Sequence, residues 1–102
     1  MRIGIIGKLD GDERLYGRLA DRVGHEALFH DGRGRARGEL AELVDRCDVV
    51  VLLSASRSAS SQLARRRLRQ RGLSPLVLPR CGVAQFTALL EALNERLHRA
   101  SG

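Results

Sequence analysis

Aromatic residues are nearly absent from this 102-residue chain, which has no tryptophan, one tyrosine and two phenylalanines. Proteins that bind nucleic acids commonly stack bases on aromatic side chains, so we expect no nucleic-acid partner. No apolar run approaches the roughly 20 residues that a membrane-spanning helix needs, and we expect no membrane association. The opening segment MRIGIIG is too short and too strand-like for a signal peptide, which predicts a cytoplasmic protein.

Cysteine is scarce as well, since Cys47 and Cys81 are the only two in the sequence. They fall just before the third and just after the fourth predicted strand. In a parallel sheet these are opposite ends, about 15 Å apart at ~3.3 Å per residue. A disulfide cannot span that distance, and two isolated cysteines make no zinc-binding pattern. We therefore expect two reduced thiols.

Lysine is limited to Lys8 among the 18 basic residues, and all the others are arginine. The formal net charge is +6. A genome rich in G and C explains arginine in place of lysine throughout a protein. The alternative explanation is an anionic partner, because a guanidinium group matches carboxylates and phosphates in geometry. The composition leaves both explanations open.

Four apolar segments alternate with four amphipathic segments, which predicts a single α/β domain over residues 1–102. The predicted strands are 2–6, 26–30, 48–53 and 75–78, and the predicted helices are 12–23, 39–46, a third ending near 71, and 83–99. The third strand reads VVVLL, typical of a strand buried on both faces, whereas Pro75 and Pro79 favour an edge position for the fourth. Right-handed crossovers then predict a parallel sheet of order 2-1-3-4 flanked by helices, a truncated flavodoxin-like or Rossmann-like fold.

Helical spacing predicts which apolar residues face the core. The inward residues are Leu15, Leu19 and Val23 in the first helix, Leu40, Leu43, Val44 and Cys47 in the second, and Val83, Phe86, Leu90, Leu93 and Leu97 in the last. Four strands leave two open edges and a modest core. We therefore expect a homodimer that covers one sheet edge or one helix face.

Several segments resemble the bacterial family called domain of unknown function 2325. They are the opening IGIIG, Tyr16, the LFHDG after the second strand, DVVVLLSAS, and PLVLPRCG before the last helix. The resemblance covers nearly the whole chain and implies a small α/β fold, with haem as a candidate cofactor. Relatives carry a cysteine and a histidine after the third strand, where this chain reads SASRS. A metal or haem site built on those two side chains is therefore not carried over.

Ligands of such folds bind where parallel strands end, at the point where the connections diverge. In this chain that region collects residues that follow the second, third and fourth strands. The predicted ligand-site residues are His30, Asp31, Ser56, Arg57, Ser58 and Arg80. Asp12 and Glu13, with Asp10, would repel a phosphate beside the first strand, so a phosphate is expected nearer the third helix.

Each of these residues also has a purely structural interpretation. The serines are suited to cap the third helix, His30 and Asp31 to close a turn, and Arg80 to form a salt bridge. The functional interpretation is that the serines and Arg57 donate to an anion at a helix N-terminus. His30 then binds a metal or haem iron, or donates a hydrogen bond to the anion. The sequence leaves both interpretations open.

These features predict a ligand-binding or sensor module that recognises an anionic cofactor, either haem or a phosphorylated small molecule. The chain lacks a P-loop and the dinucleotide glycine pattern, and Cys81 has no adjacent general base, so we expect binding rather than catalysis. The alternative is a regulatory adaptor that binds a partner through its arginine-rich third helix. A third hypothesis, an enzyme with Asp31 and His30 as its acid–base pair, has the least support.

Overall fold

The protein forms one parallel sheet covered by helices on both faces. Its structure, a computed structural model, describes residues 1–7, 11–30, 37–53 and 59–101. The strands are β1 Arg2–Ile6, β2 Glu26–His30, β3 Val49–Leu53 and β4 Leu76–Leu78. Every neighbouring pair is parallel and the order is β2-β1-β3-β4. The predicted order is therefore confirmed, with β2 and β4 as the lateral edges.

The helices alternate with the strands as predicted. They are α1 Glu13–Arg22, α2 Arg37–Arg46, α3 Ala59–Gln70 and α4 Val83–Ser101. Helix α2 begins at Arg37 rather than Glu39, and α3, for which the sequence predicted only an end near residue 71, begins at Ala59 and ends at Gln70. Within the described residues, no helix combines the length and the apolar character needed to cross a membrane.

Side chains of the central strands alternate between two cores, one on each face of the sheet, because successive strand residues point to opposite faces. Helices α1 and α4 pack against Ile3, Ile5 and Val51. Helices α2 and α3 pack against Ile6 and Val50, with Leu52 beside them. We call these two sides the α1/α4 face and the α2/α3 face. The fully apolar run of β3 is buried on both, as a central strand requires.

The prediction of which α1 residues face the core is wrong by part of a helical turn. Tyr16 and Ala20 are completely buried, whereas Leu15 is 41% exposed and Val23 is 42% exposed. The helix is rotated so that the large ring of Tyr16, rather than Leu15, enters the core, and an aromatic ring buries more apolar area than leucine. In α4 the first predicted core residue, Val83, is likewise 45% exposed.

Two arginines, one in α3 and one directly after it, bind α2. The Arg71 Nη1 donates to the backbone oxygens of Val44 and Cys47 at 2.6 and 2.7 Å. Arg67 forms an ion pair with Asp45 of α2. Carbonyls at the end of a helix have no partner within that helix, so the Arg71 bonds complete the last turn of α2. Part of the predicted exposed arginine face of α3 is therefore structural.

Candidate ligand site at the carboxyl ends of the strands

The carboxyl ends of β1 and β3 form the switch point of the sheet. Helix α1 follows β1 and packs on the α1/α4 face, while α3 follows β3 and packs on the opposite face. The two connections therefore leave adjacent strands toward opposite faces, the arrangement in which parallel sheets commonly bind a ligand. This is the position that the sequence predicted for a ligand, and the strand order places it as expected.

Gly7 ends β1 at this point and allows the backbones of three strands to approach closely. Its N–H donates to the His30 carbonyl of β2 at 2.8 Å. On its other side, a Cβ added at Gly7 would lie 2.7 Å from the Cβ of Leu53 in β3. The φ angle of Gly7 is 129°, a conformation that residues with a side chain rarely adopt. Only glycine fits here without a rearrangement of β1 or β3.

Tyr16 lies directly beneath this end of the sheet. Its hydroxyl donates to the Cys81 carbonyl at 3.4 Å, in the turn between β4 and α4. Its ring packs edge-to-face on Phe86, with centroids 5.3 Å apart and planes at 84°. On the other side, a Cβ at Gly11 would be 3.8 Å from the Tyr16 ring. Tyr16 therefore joins the start of α1 to the turn before α4. In the sequence, only the family resemblance and its being the sole tyrosine single out Tyr16.

Of the predicted ligand-site residues, the structure places His30 and Arg80. His30 is paired with Ile6 and therefore points to the α2/α3 face, half-buried at the end of β2. Arg80 is exposed and follows β4, on the other lateral edge. The two outermost strands are three strand spacings apart, about 14 Å. Both residues are thus at the carboxyl end, but they are not neighbours. The other four predicted residues lie outside the described residues: Asp31, Ser56, Arg57 and Ser58.

The electrostatic character of the site differs between its two helix starts. Asp12 caps α1, where its Oδ1 accepts a hydrogen bond from the N–H of Arg14 at 3.0 Å, and Glu13 occupies the first turn. These carboxylates already complement the positive end of the α1 dipole. Helix α3 has no acidic residue in its first turn. An anion is therefore expected nearer the start of α3 than the start of α1, and this stays a prediction.

Neither cysteine is suited to nucleophilic catalysis. Both are buried thiols outside any disulfide, in agreement with the two reduced thiols expected, and Cys81 is only 1% exposed. Burial, together with the nearby Asp48 carboxylate, raises the pKa of the Cys47 thiol to about 11. At neutral pH this thiol is neutral, and a neutral thiol is a poor nucleophile. Cys47 also lies at the amino end of the sheet, before β3, and is far from the candidate site.

His25 lies at the same amino end and is engaged in structural contacts. Its Nδ1 is 3.0 Å from the Met1 amino nitrogen, and its Nε2 is 2.6 Å from Oδ1 of Asn94. It therefore does not share a site with His30, which lies at the other end of β2. Within the part of the chain that is described, no three His, Cys, Asp or Glu side chains are grouped as metal ligands. His30 is thus a single candidate ligand rather than part of a described cluster.

Comparison with known proteins adds no relative. No protein-family model matches the chain, and a search of curated proteins finds no match. The function is therefore inferred from the geometry and charge of the chain itself.

Proposed function

We propose that this protein binds an anionic ligand at the carboxyl ends of β1 and β3 and does so without catalysing a reaction. The observation that carries the proposal is the close approach of β1 and β3 at Gly7, at the switch point between helices on opposite faces. In open parallel sheets this position is the usual place for a ligand. At this position the β1 and β3 backbones are close to each other, and the described residues place no nucleophile beside it.

The charge distribution supports an anion rather than a cation. Acidic groups complement the dipole at the start of α1, whereas the first turn of α3 has none. We assign Arg57, with Ser56 and Ser58, as donors to the ligand from the segment before α3. His30 and Arg80 then supply contacts from the two lateral ends of the site, and Asp31 orients the His30 turn.

Ligand size separates the two candidate classes. The strands that lead to His30 and Arg80 are about 14 Å apart, much more than the width of one phosphate group, and His30 points to the α2/α3 face rather than along the sheet toward Arg80, so a single phosphate is expected to contact one of them. A porphyrin has a span closer to that distance and carries carboxylates suited to arginine. A haem ligand is therefore expected to depend on both His30 and Arg80, with His30 as the iron ligand. A phosphorylated small molecule is expected to depend on Arg57 and on only one of the two.

Haemin titration followed by absorption spectroscopy tests the first class. The expected result is a saturable absorption band that is lost in His30→Ala and weakened in Arg80→Ala. Arg22→Ala is the control, because Arg22 is in the last turn of α1, at the opposite end of the sheet. Saturable binding that all three variants retain would assign haemin to another surface.

A thermal-shift measurement with inorganic phosphate and with ATP tests the second class. Stabilisation that increases with ligand concentration and disappears in Arg57→Ala is the expected result, because a ligand that binds only the native state raises its stability. The same Arg22→Ala variant controls for loss of one positive charge. If haemin, phosphate and ATP all leave wild-type protein unchanged, the proposed anion site is wrong.

A further inference from the structure

The two lateral edges of the sheet differ in how well they are protected from pairing with another strand. At one edge, β4 has only three residues and lies between Pro75 and Pro79. Short length and proline are both features by which natural sheets prevent pairing at an edge. At the other edge, β2 has five residues and no proline, and among the described residues no strand lies on its outer side. The β2 edge is therefore the one open to a further strand.

The backbone of β2 presents hydrogen-bonding groups at this open edge. The Glu26 N–H donates to the residue just before β1, and the His30 carbonyl accepts from the residue just after β1. Neighbouring residues of a strand direct their backbone groups to opposite sides, so Ala27 and Phe29 direct theirs outward. Each of these two residues has one N–H and one C=O. The β2 edge consequently offers donors and acceptors in alternation, as an added strand requires.

A second copy of β2 satisfies these groups in one antiparallel register, centred on Leu28. Ala27 of one copy then lies opposite Phe29 of the other, and the two residues exchange both of their backbone hydrogen bonds. The two-fold symmetry repeats this exchange on the other side of the centre. Leu28 lies opposite Leu28 of the second copy, in the kind of pair that brings side chains closest. Every outward backbone group of Ala27 and Phe29 is paired in this register.

The side chains of β2 are compatible with the same register. Leu28 lies on the α2/α3 face, and Ala27 and Phe29 lie on the α1/α4 face; all three are half-buried. The register places the Phe29 ring beside the small Ala27 of the second copy, and cross-strand pairs of this kind stabilise a sheet. At the ends, Glu26 comes opposite His30. No two like charges of β2 are therefore opposite each other.

Helix α2 adds charged side chains along this edge. A groove of about 180 Å³ lies between α2 and β2, and its lining is Leu28, Phe29, Glu39, Glu42, Leu43 and Arg46. Leu43 is level with Leu28, because a Cβ at Gly4, the residue paired with Leu28, would lie 2.7 Å from the Leu43 Cδ2. Glu39 is four residues before Leu43 and Arg46 is three after it. They therefore lie about 6 Å and about 4.5 Å from Leu43 along the helix, on opposite sides.

The charges along the groove are complementary to their own two-fold copy. An axis at Leu28 reverses the direction of α2 in the second copy, which brings Glu39 level with Arg46 of that copy to within about 2 Å. Glu39 is exposed and forms no ion pair with a described residue. Arg46 lies 3.6 Å from Glu42 of its own helix. A guanidinium group has five N–H donors, enough to bind a second carboxylate as well.

We propose that two copies of this chain join through their β2 edges about a two-fold axis, so that their two four-stranded sheets form one continuous sheet. Backbone hydrogen bonds between Ala27 and Phe29 and the contact between the two Leu28 side chains hold the centre. Ion pairs between Glu39 and Arg46 flank the centre on both sides. A symmetric contact of this kind closes on itself, so the association stops at two chains. The protected strand β4 forms both outer edges of the dimer.

Charge reversals at the exposed residues Glu39 and Arg46 test this arrangement by sedimentation velocity, in which wild-type protein is expected as a dimer. Glu39→Arg places two arginines opposite each other, and Arg46→Glu places two carboxylates opposite each other. Each variant alone is expected to dimerise roughly tenfold more weakly, because one substitution makes two symmetry-related contacts repulsive. An equimolar mixture of the two variants is expected to form heterodimers, in which both contacts are attractive.

A chain with both reversals is the control for this experiment and is expected to dimerise like wild type. Glu39 and Arg46 are seven residues apart, about 10 Å along α2, so their side chains do not pair within one helix. Recovery in the mixture or in the double variant therefore reports a contact between chains.

Leu28→Glu and Val77→Glu form a matched pair that tests the strand edge itself. Both residues lie on the α2/α3 face of an outermost strand. Leu28→Glu places two carboxylates opposite each other at the axis and is expected to give single chains. Val77→Glu makes the same change on β4 and is expected to leave the dimer intact. Far-UV circular dichroism verifies that each variant is folded.

Four results would overturn the proposal. Wild-type protein that sediments as one chain has no such contact, and species larger than two chains are not a closed symmetric dimer. Single charge variants that do not recover on mixing would show that Glu39 and Arg46 do not meet across an axis. A dimer that is lost in Val77→Glu but kept in Leu28→Glu would place the contact at β4. None of these variants changes a residue assigned to the anion site, so their outcome leaves that proposal as it stands.

Discussion

Replacement of Gly7 by alanine tests the geometry on which the ligand site depends. The added Cβ would lie 2.7 Å from the Leu53 Cβ and 3.1 Å from the Leu53 carbonyl oxygen. Contact with a neighbouring backbone cannot be relieved by a side-chain rotation, so β1 or β3 has to move. The N–H of Gly7 also holds the His30 carbonyl, and a shift of β1 would lengthen that hydrogen bond.

The expected loss of stability has two parts. An alanine held at φ 129° costs about 1–3 kcal/mol in backbone strain. Forcing extra volume into a packed site costs a further ~1–3 kcal/mol. The sum is about 2–6 kcal/mol, a large fraction of the ~5–15 kcal/mol that stabilises a typical domain. The melting temperature is then expected to fall by roughly 10 °C or more, at ~4–8 °C per kcal/mol.

Three other glycines separate the two costs. Gly24 has a φ of 81° but open space around its Cβ position, whereas Gly4 has no positive φ but would contact the Cys47 Sγ at 2.7 Å. Gly17 has neither feature and lies inside α1. Gly24→Ala is expected to lose stability through backbone strain alone, and Gly4→Ala through steric overlap alone. Gly17→Ala is expected to stabilise the protein by about 0.5–1 kcal/mol, because alanine favours helix.

Urea unfolding followed by far-UV circular dichroism measures all four variants, since a chain without tryptophan has little fluorescence signal. The expected order of stability is Gly17→Ala first, Gly24→Ala and Gly4→Ala next, and Gly7→Ala last. A Gly7→Ala variant that loses no more stability than Gly24→Ala would show that β1 and β3 are not in contact at their carboxyl ends. The proposed ligand site would then have no basis.

Three further predictions concern the packing and the amino end of the sheet. Phe86→Ala is expected to cost about 3–5 kcal/mol in urea unfolding because it empties the core under Tyr16, while Val83→Ala, at an exposed position, should change stability by less than ~0.5 kcal/mol. Arg71→Ala is expected to cost about 1–3 kcal/mol because carbonyls at the end of α2 lose their donor, and a neutral outcome would mean that water replaces the guanidinium. The Cys47 thiol, with a pKa raised from 9.0 to about 11, ionises more easily when unfolded, so its contribution to stability is intact below pH 9 and is lost between pH 9 and 11. The fall in unfolding free energy over that range should be smaller in Cys47→Ala, and an equal fall in both proteins would contradict the shift.

The strand order could be predicted because the sequence carries strong local signals for it. The fully apolar β3 requires burial on both faces, and the prolines around β4 require an edge. With right-handed crossovers, few arrangements remain. The rotation of α1 could not be predicted in the same way. Leu15 and Tyr16 are adjacent, and only the packing of the Tyr16 ring on Phe86 decides which of them enters the core.

The different roles of the arginines in and just after α3 could not be predicted from the sequence either. The arginines of α3 form one run in the chain, but the structure divides them into Arg67 and Arg71, which hold α2, and Arg65 and Arg69, which do not. That division depends on where α2 lies against α3, a contact between segments about 20 residues apart that periodicity does not contain. The predicted homodimer rested on the number of strands alone and named no surface.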